Sequence, residues 1–307
     1  MVGPTASGKT RLGVELALAL DGEVVSADSM QIYTGMEIAT AKPTADERRG
    51  VPHHLIGFVS PEEEYSVARF VSDASAAIDD ILAREKKPIL VGGTGLYVSS
   101  LIDGILFSEQ RQDPAVRARL SRQAECLGNE EMHRRLGEID PTYAASLHPN
   151  NRGRVLRAIE LFETSGKTMT EQLLASKTLP SRYAPVLLGL DFIDRENLYE
   201  RINLRVDRML ENGLLDEVRR FYQSHDAKTA AQAIGCKELR PYLCGDASLT
   251  ACVETLKRAT RRYAKRQLTW FRRDERIHWL FCDQYDCADA LLGAALEVVS
   301  AASQADR

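Results

Sequence analysis

The spacing of apolar positions divides the chain into stretches of different character. Over the first hundred residues, strand-like and helix-like runs alternate. Residues 12–20 read as a short amphipathic helix, and GEVVSAD (22–28) reads as a strand ending in an acid. In residues 66–83, Val67, Phe70, Val71, Ala74, Ile78 and Ile81 recur at helical spacing. KPILVGGTGLY (87–97) is a short, unalternating apolar run closed by glycines, as suits a strand of a parallel sheet covered on both faces. TAKP (40–43) and PHH (52–54) are rich in turn formers and predict a loop.

The pattern changes near Phe107. Residues 113–174 are helical throughout, with breaks at Asp140-Pro141 and HPNN (148–151). Strand character returns in APVLLGLDF (184–192). A long helix then begins near Arg195, pauses at Asn212-Gly213 and resumes in LLDEVRRFY. Another helix covers residues 249–271, IHWLFC (277–282) is a last strand, and residues 288–302 form an Ala-rich helix. The fold class expected is α/β, a three-layer parallel sheet of the P-loop NTPase type with an inserted all-helical domain. The expected divisions are 1–112, the helical insertion 113–182, and 183–307.

GPTASGKT, which is Gly3, Pro4, Thr5, Ala6, Ser7, Gly8, Lys9 and Thr10, satisfies G-x-x-x-x-G-K-[ST] in full. Its glycines let backbone N–H groups curl around a phosphate, Lys9 adds positive charge, and Thr10 can ligate Mg²⁺. The strand that delivers such a loop lies mid-sheet, and only Met1 and Val2 precede it here, so the first strand is expected to be truncated. SGKT recurs at 165–168, but Leu161 stands where the motif needs glycine. A phosphate loop speaks for a diphosphate without separating ATP, GTP and other diphosphate esters. Asp28 ends the second strand, where open α/β sheets place ligands, and suits either a general base or an N-cap or Mg²⁺-shell residue. Thr94 suits either a hydrogen-bonding role in the site or a helix N-cap. No acid follows the apolar run 88–91, which weighs against ATP hydrolysis; Asp191 is the nearest substitute.

At 307 residues the chain has room for about two domains. With 44% hydrophobic and 27% charged residues, it is neither disordered nor fibrous. The six cysteines are too sparse for a disulfide scaffold, which predicts a reducing, cytoplasmic setting. No apolar run is long enough to span a membrane, and the glycine-rich start is unlike a secretory signal. His53, His54 and the cysteines lack zinc-ligand spacing. The formal charge of -4 taken alone predicts no polyanion partner. Yet residues 255–273 hold eight Lys or Arg and no acid, leaving -12 for the remainder. Lys257, Arg258, Arg261, Arg262, Lys265 and Arg266 group on one helix face, with Leu256, Thr260, Tyr263, Gln267 and Phe271 largely opposite. Such a face is either solvated surface or a phosphate-backbone contact, and the lack of acids favours the second. Arg152, Arg154 and Arg157 form a smaller cluster. Arg195, Arg201, Arg205, Arg208 and Arg219 add charge, some of it expected to pair with Glu200, Asp207, Glu211 and Glu217.

GPTASGKT, DSMQIYTGMEIATAKP, VPHHLIGFV, ILVGGTGLY, RVLRAIE, GLLDEVRRF and KRQLTWFRR, in this order over nearly the whole chain, resemble the tRNA dimethylallyltransferase family. The resemblance implies transfer of a dimethylallyl group from dimethylallyl diphosphate to N6 of the adenosine 3′ to the anticodon. It implies that residues 3–10, with Mg²⁺ on Thr10, hold the diphosphate, and that Arg219 grips it too. By the same resemblance Asp28 is the base, and Thr94 places the amine or the base. The tRNA-contacting positions it implies are Asp28, Ser29, Met30, Gln31 and Thr94, then Arg117, then Gly153, Arg154, Val155, Leu156 and Arg157. The basic stretch adds Arg261, Arg262, Lys265 and Arg266, and the insertion is expected to close over one side of the anticodon loop. Ala39 stands where the family commonly has glycine, and the Ala-rich end, in place of a zinc finger, is of bacterial type. No obligate protein partner is expected. The rival expectations are an AMP or ADP dimethylallyltransferase, an ATP-dependent small-molecule kinase and a non-catalytic RNA-binding regulator; the first two need no basic stripe.

Overall fold

The computed structural model describes residues 1–105, 113–177, 182–224, 227 and 229–305. Phe107 and the expected boundary at 112 lie outside the described residues. The chain divides into two compact units, Met1–Val98 with Pro185–Arg307, and Ser99–Ala184.

The first unit runs through α1 (Lys9–Ala19), β1 (Gly22–Ser26), α2 (Ala45–Arg48), β2 (His53–His54), α3 (Val67–Ala83) and β3 (Lys87–Val91). Helix α4 (Gly95–Ile102) follows, and the second unit carries α5 (Pro114–Ile139), α6 (Pro141–Ala145), α7 (Arg152–Ser165) and α8 (Met169–Lys177). The first unit then resumes with β4 (Leu188–Asp191), α9 (Arg195–Glu211), α10 (Leu214–Ser224), α11 (Cys236–Leu243), α12 (Leu249–Phe271), β5 (His278–Phe281) and α13 (Ala288–Ala305).

All strand pairings are parallel, in the orders β2-β1-β3 and β4-β5. Met1 and Val2 stand between the two sets. The Val2 N–H donates to the Leu188 carbonyl at 2.8 Å, and the Val2 carbonyl accepts from Leu190 at 2.9 Å. On the other side the Met1 carbonyl accepts from the Gly92 N–H at 3.2 Å. These two buried residues therefore hold the mid-sheet place from which the phosphate loop departs. Leu12, Leu16, Val24, Val91, Leu188, Leu190 and Leu280 make the core beneath it, with α13 packed against it. Full burial of each such side chain contributes about 1.5–3 kcal/mol.

In α3 the buried positions Phe70, Ala74, Ile78 and Ile81 keep the expected helical spacing, and Ser66 caps the start by accepting from the Arg69 N–H. Strand β2 is not visible in the apolar pattern, because its two residues are polar histidines. Pairing of His53 with Val24 and of His54 with Val25 makes it a strand. Buried Glu23 on β1 binds His54 Nε2 at 2.7 Å and both end nitrogens of Arg84. The Arg84 guanidinium holds the Glu23 carboxyl down at about 2.

The second unit has its own core of Leu120, Ala124, Met132, Leu136, Val155, Leu156 and Ile159. Gly128, at φ 84°, breaks α5 at a point additional to the expected breaks. Asp140 caps α6 by accepting from the Tyr143 N–H at 3.0 Å and also accepts from the Thr170 N–H at 2.8 Å. The repeated SGKT has a plain explanation. Gly166, left-handed at φ 69°, ends α7, and Thr168 and Glu171 cap the start of α8 reciprocally.

Candidate active site

The phosphate loop is shaped by backbone constraints at both ends. Gly3 has φ +138°, and a Cβ there would meet the Leu190 carbonyl oxygen at 2.5 Å, so only glycine lets the chain leave β4's edge in this direction. Gly8, at φ 97°, turns the chain into α1, whose start has no side-chain cap. The N–H groups of that first turn are therefore directed at the loop's anion position. Lys9 Nζ donates to the Pro4 carbonyl, and the buried Ser7 hydroxyl has no hydrogen-bond partner among the described residues. Arg201 Nε donates to the Ala6 carbonyl at 3.0 Å. Burial first, and then the charge of Arg205, brings the Lys9 ammonium down to about 7, while Asp28 acts the other way. Burial likewise lowers Arg205, with Asp28 favouring its charge. Lys9, Arg205 and Asp28 thus share one electrostatic neighbourhood.

Asp28 follows β1 after Ala27. Its Oδ1 accepts from the Met30 N–H at 2.9 Å and more weakly from Gln31 at 3.4 Å, an Asx turn that fixes the carboxylate. Thr94 Oγ1 accepts from the Ser29 N–H at 3.0 Å, so the structure brings Asp28, Ser29 and Thr94 together. The segment after Asp28 is braced from within. Gln31 Nε2 donates to the Thr40 and Ala41 carbonyls at 3.3 and 3.2 Å, and buried Lys42 pairs with Glu37 at 2.8 Å. Glu217 of α10 is buried and accepts from three successive backbone N–H groups, of Glu37, Ile38 and Ala39, at 2.8 to 3.1 Å. It was expected among the ion-pair partners of neighbouring arginines; its position under this segment makes it a backbone anchor instead.

Arg219, two residues further on, is exposed and bonds Asp216 at 2.6 Å; among the described residues no hydrogen bond or ion pair joins it to the phosphate loop. The arginines at the loop are Arg201 and Arg205. Their i, i+4 spacing on the helix after β4 was visible in the sequence, but nothing local tied that helix to residues 3–10. Asp191, the substitute acid, is buried and paired with Arg272 at 2.6 Å.

On α12 the face opposite the charges is buried at Leu256, Thr260, Gln267 and Phe271, as the spacing predicts. The basic face is narrower than expected. Lys257 pairs with Asp207 at 2.7 Å and Arg261 donates to Asn203 at 2.6 Å, whereas Arg258, Arg262, Lys265 and Arg266 are exposed. In the second unit, Arg117 and Arg157 lie 3.4 and 3.2 Å from buried Glu160, and Gly153 and Arg154 are exposed. Val155 and Leu156 are core residues, 1% and 3% exposed. Both belong to the positions the resemblance implies for tRNA contact, and their side chains are taken up by the core of this unit.

The oxygen donors suit a hard divalent cation at the loop, with the Thr10 hydroxyl on the first turn of α1. No cluster of three His, Cys, Asp or Glu able to cage a metal occurs among the described residues, and Mg²⁺ commonly needs none, being held largely by phosphate oxygens and water.

Fold and site together define an α/β phosphate-loop protein in which a fixed carboxylate shares the electrostatic neighbourhood of the loop lysine. The family profile described as IPP transferase matches residues 31–274, and that described as isopentenyl transferase matches residues 1–56. The chain is 48% identical over 294 residues to a tRNA dimethylallyltransferase of Acetivibrio thermocellus, covering 95% of this chain and 94% of that one. It is likewise 48% identical over 281 residues to that of Bacillus subtilis, covering 91% and 88%. Among solved structures, a tRNA isopentenylpyrophosphate transferase from Bacillus halodurans superposes with a TM-score of 0.73 at 42% identity, covering 99% of this chain and 97% of that one. A eukaryotic dimethylallyltransferase acting on tRNA gives 0.79 at 32% identity, over 92% and 72%. The chain belongs to the IPP transferase family.

Proposed function

We infer that the chain transfers the dimethylallyl group from dimethylallyl diphosphate to N6 of the adenosine 3′ to the anticodon of tRNA, releasing diphosphate. The observation that carries this reading is the placement of Asp28 and Thr94 beside a phosphate loop flanked by Lys9, Arg201 and Arg205. That pairs a cradle for a departing anion with a base for the attacking amine.

In the reaction the N6–C1 bond forms as the C1–O bond to diphosphate breaks. Asp28 takes the proton that N6 loses, and Thr94 and Ser29 hold the amine and the base in register. The α1 N-terminus, Lys9 and the nearby arginines stabilise negative charge growing on diphosphate, where preorganised donors are worth most. Mg²⁺ on Thr10 would supply further positive charge there when bound. Arg219 reaches the diphosphate only by exchanging Asp216 for it. The adenosine enters unstacked from a single-stranded loop, at a cost of about a few kcal/mol. Met30 and Ser29 border the amine, and exposed Arg262, Lys265 and Arg266 take the RNA backbone. In the second unit Arg117, Gly153, Arg154 and Arg157 are the positions that the family resemblance implies for tRNA contact. A tRNA substrate and six free cysteines suit a cytoplasmic enzyme.

The deciding experiment is incubation with labelled dimethylallyl diphosphate and bulk tRNA, with AMP and ATP as competitors. Label is expected in tRNA and unaffected by either nucleotide. Label moving to AMP, or phosphate moving from ATP, would replace this reading with a rival.

A further inference from the structure

Gln267 sits on α12 between the two loops that carry the chemistry and is 5% exposed. Its Oε1 accepts from the Thr5 N–H at 2.8 Å, and its Nε2 donates to the Gly93 carbonyl at 2.9 Å. One planar amide therefore ties the phosphate loop to the residue preceding Thr94. Tyr263, one turn earlier on the same helix, lies in the electrostatic neighbourhood of Asp28, Thr94 and Gln267, and burial pushes its phenol up. The glycines of GGTG explain how the helix comes so close. A Cβ on Gly93 would collide with the Gln267 amide, and one on Gly95 with the Trp270 ring. These glycines leave room for α12, whereas approach of substrate alone would need no such space on this side. Arg262, Lys265 and Arg266 occupy the outward face of the same helix.

We propose that Gln267 is a positioning residue that sets the spacing between the diphosphate cradle and the Thr94–Asp28 pair, from the helix whose other face meets RNA. This rests on the transferase reading above. A Gln at a buried helix position commonly serves packing alone, but here both ends of the amide are spent on backbone groups of different catalytic loops. Because Gln267 turns the Thr5 N–H toward itself, that donor is withheld from the anion, and the cradle is built from the N–H groups of Gly8, Lys9 and Thr10 onward. Loss of the amide frees two backbone groups at once and lets the loops separate. Misplacement on the scale of 1 Å costs about 10²-fold in rate.

The test compares the parent with Gln267→Met, which keeps length and bulk but neither hydrogen bond, and with Gln267→Asn, which keeps the amide one methylene short. Binding of inorganic diphosphate, binding of tRNA and steady-state turnover are measured separately, below the melting temperature of each variant. For Gln267→Met, kcat is expected to fall by about 10²-fold, with weaker diphosphate binding and tRNA affinity within about twofold of the parent. Turnover and diphosphate affinity both unchanged in a folded Gln267→Met protein would overturn the proposal. Should that variant fail to fold, Gln267→Asn must still lose more turnover than tRNA affinity, and equal losses in the two overturn the proposal. A parent protein inactive with dimethylallyl diphosphate and tRNA overturns the transferase reading alone, since the diphosphate arm still reads the effect of Gln267 on the cradle.

Discussion

Asp28 and Lys9 work through what surrounds them more than through their identities. Asp28 spends one carboxylate oxygen on the turn it begins, and on the proposed reading the other serves the incoming amine. Replacing it by Asn keeps the turn and removes the base. Turnover of Asp28→Asn should fall by about 10²–10⁴-fold while tRNA binding persists. Unchanged turnover in single-turnover assays would rule out the base assignment. Lys9, brought to about 7 by burial and Arg205, is largely neutral at pH 8 in the free protein. A bound diphosphate favours the charged form, so binding at pH 8 should take up a proton, and affinity should decline as pH rises above 7. Calorimetry in two buffers of different ionisation enthalpy measures that uptake, which Lys9→Met should lack. Val155 and Leu156 lie in the segment that the resemblance implies for tRNA contact, yet their side chains serve the core.

Among the elements, α12 does the most varied work. Its inner face clamps the two active-site loops, and its outer face displays positive charge. Double reversal, Arg262→Glu with Arg266→Glu, should weaken tRNA binding and flatten its salt dependence, each lost phosphate contact lowering the log–log slope by roughly 0.7–0.9. An unchanged slope in filter binding from low to high salt would remove α12 from the RNA face. Periodicity showed both faces of this helix, since 3.6-residue spacing sorts polar from apolar residues whatever the helix packs on. It did not show that Lys257 and Arg261 are partly taken up by Asp207 and Asn203 on α9, because those partners lie about fifty residues away in the chain. The segment after Asp28 was equally opaque: the turn formers marked it as a loop, and Glu217, far along the chain, gives it its shape.

In the whole molecule, charge and cores are both unevenly spread. A formal -4 conceals a strongly basic stripe on an acidic remainder, which orients a polyanion where an even distribution would not. The two units have separate hydrophobic cores. Leu136→Ala should therefore lower the stability of the Ser99–Ala184 unit by about 2–5 kcal/mol, read as faster amide exchange over residues 113–177. Diphosphate binding by the first unit should be unaffected. Coupled loss of both would show that the cores fold as one. The sequence by itself determined the α/β class, the phosphate loop and the basic helix face, because each follows from spacing within a few turns of chain. It also carried Asp28 and Thr94 as candidates, since both lie just beyond the carboxyl ends of strands. Only the tertiary structure decided that Met1 and Val2 occupy the centre of the sheet, that Arg201 reaches the phosphate loop with Arg205 near Lys9, and that one glutamine joins that loop to Gly93, beside Thr94. Those contacts link residues from 89 to 262 positions apart, and no local pattern of polarity encodes which distant partner a buried polar group will find.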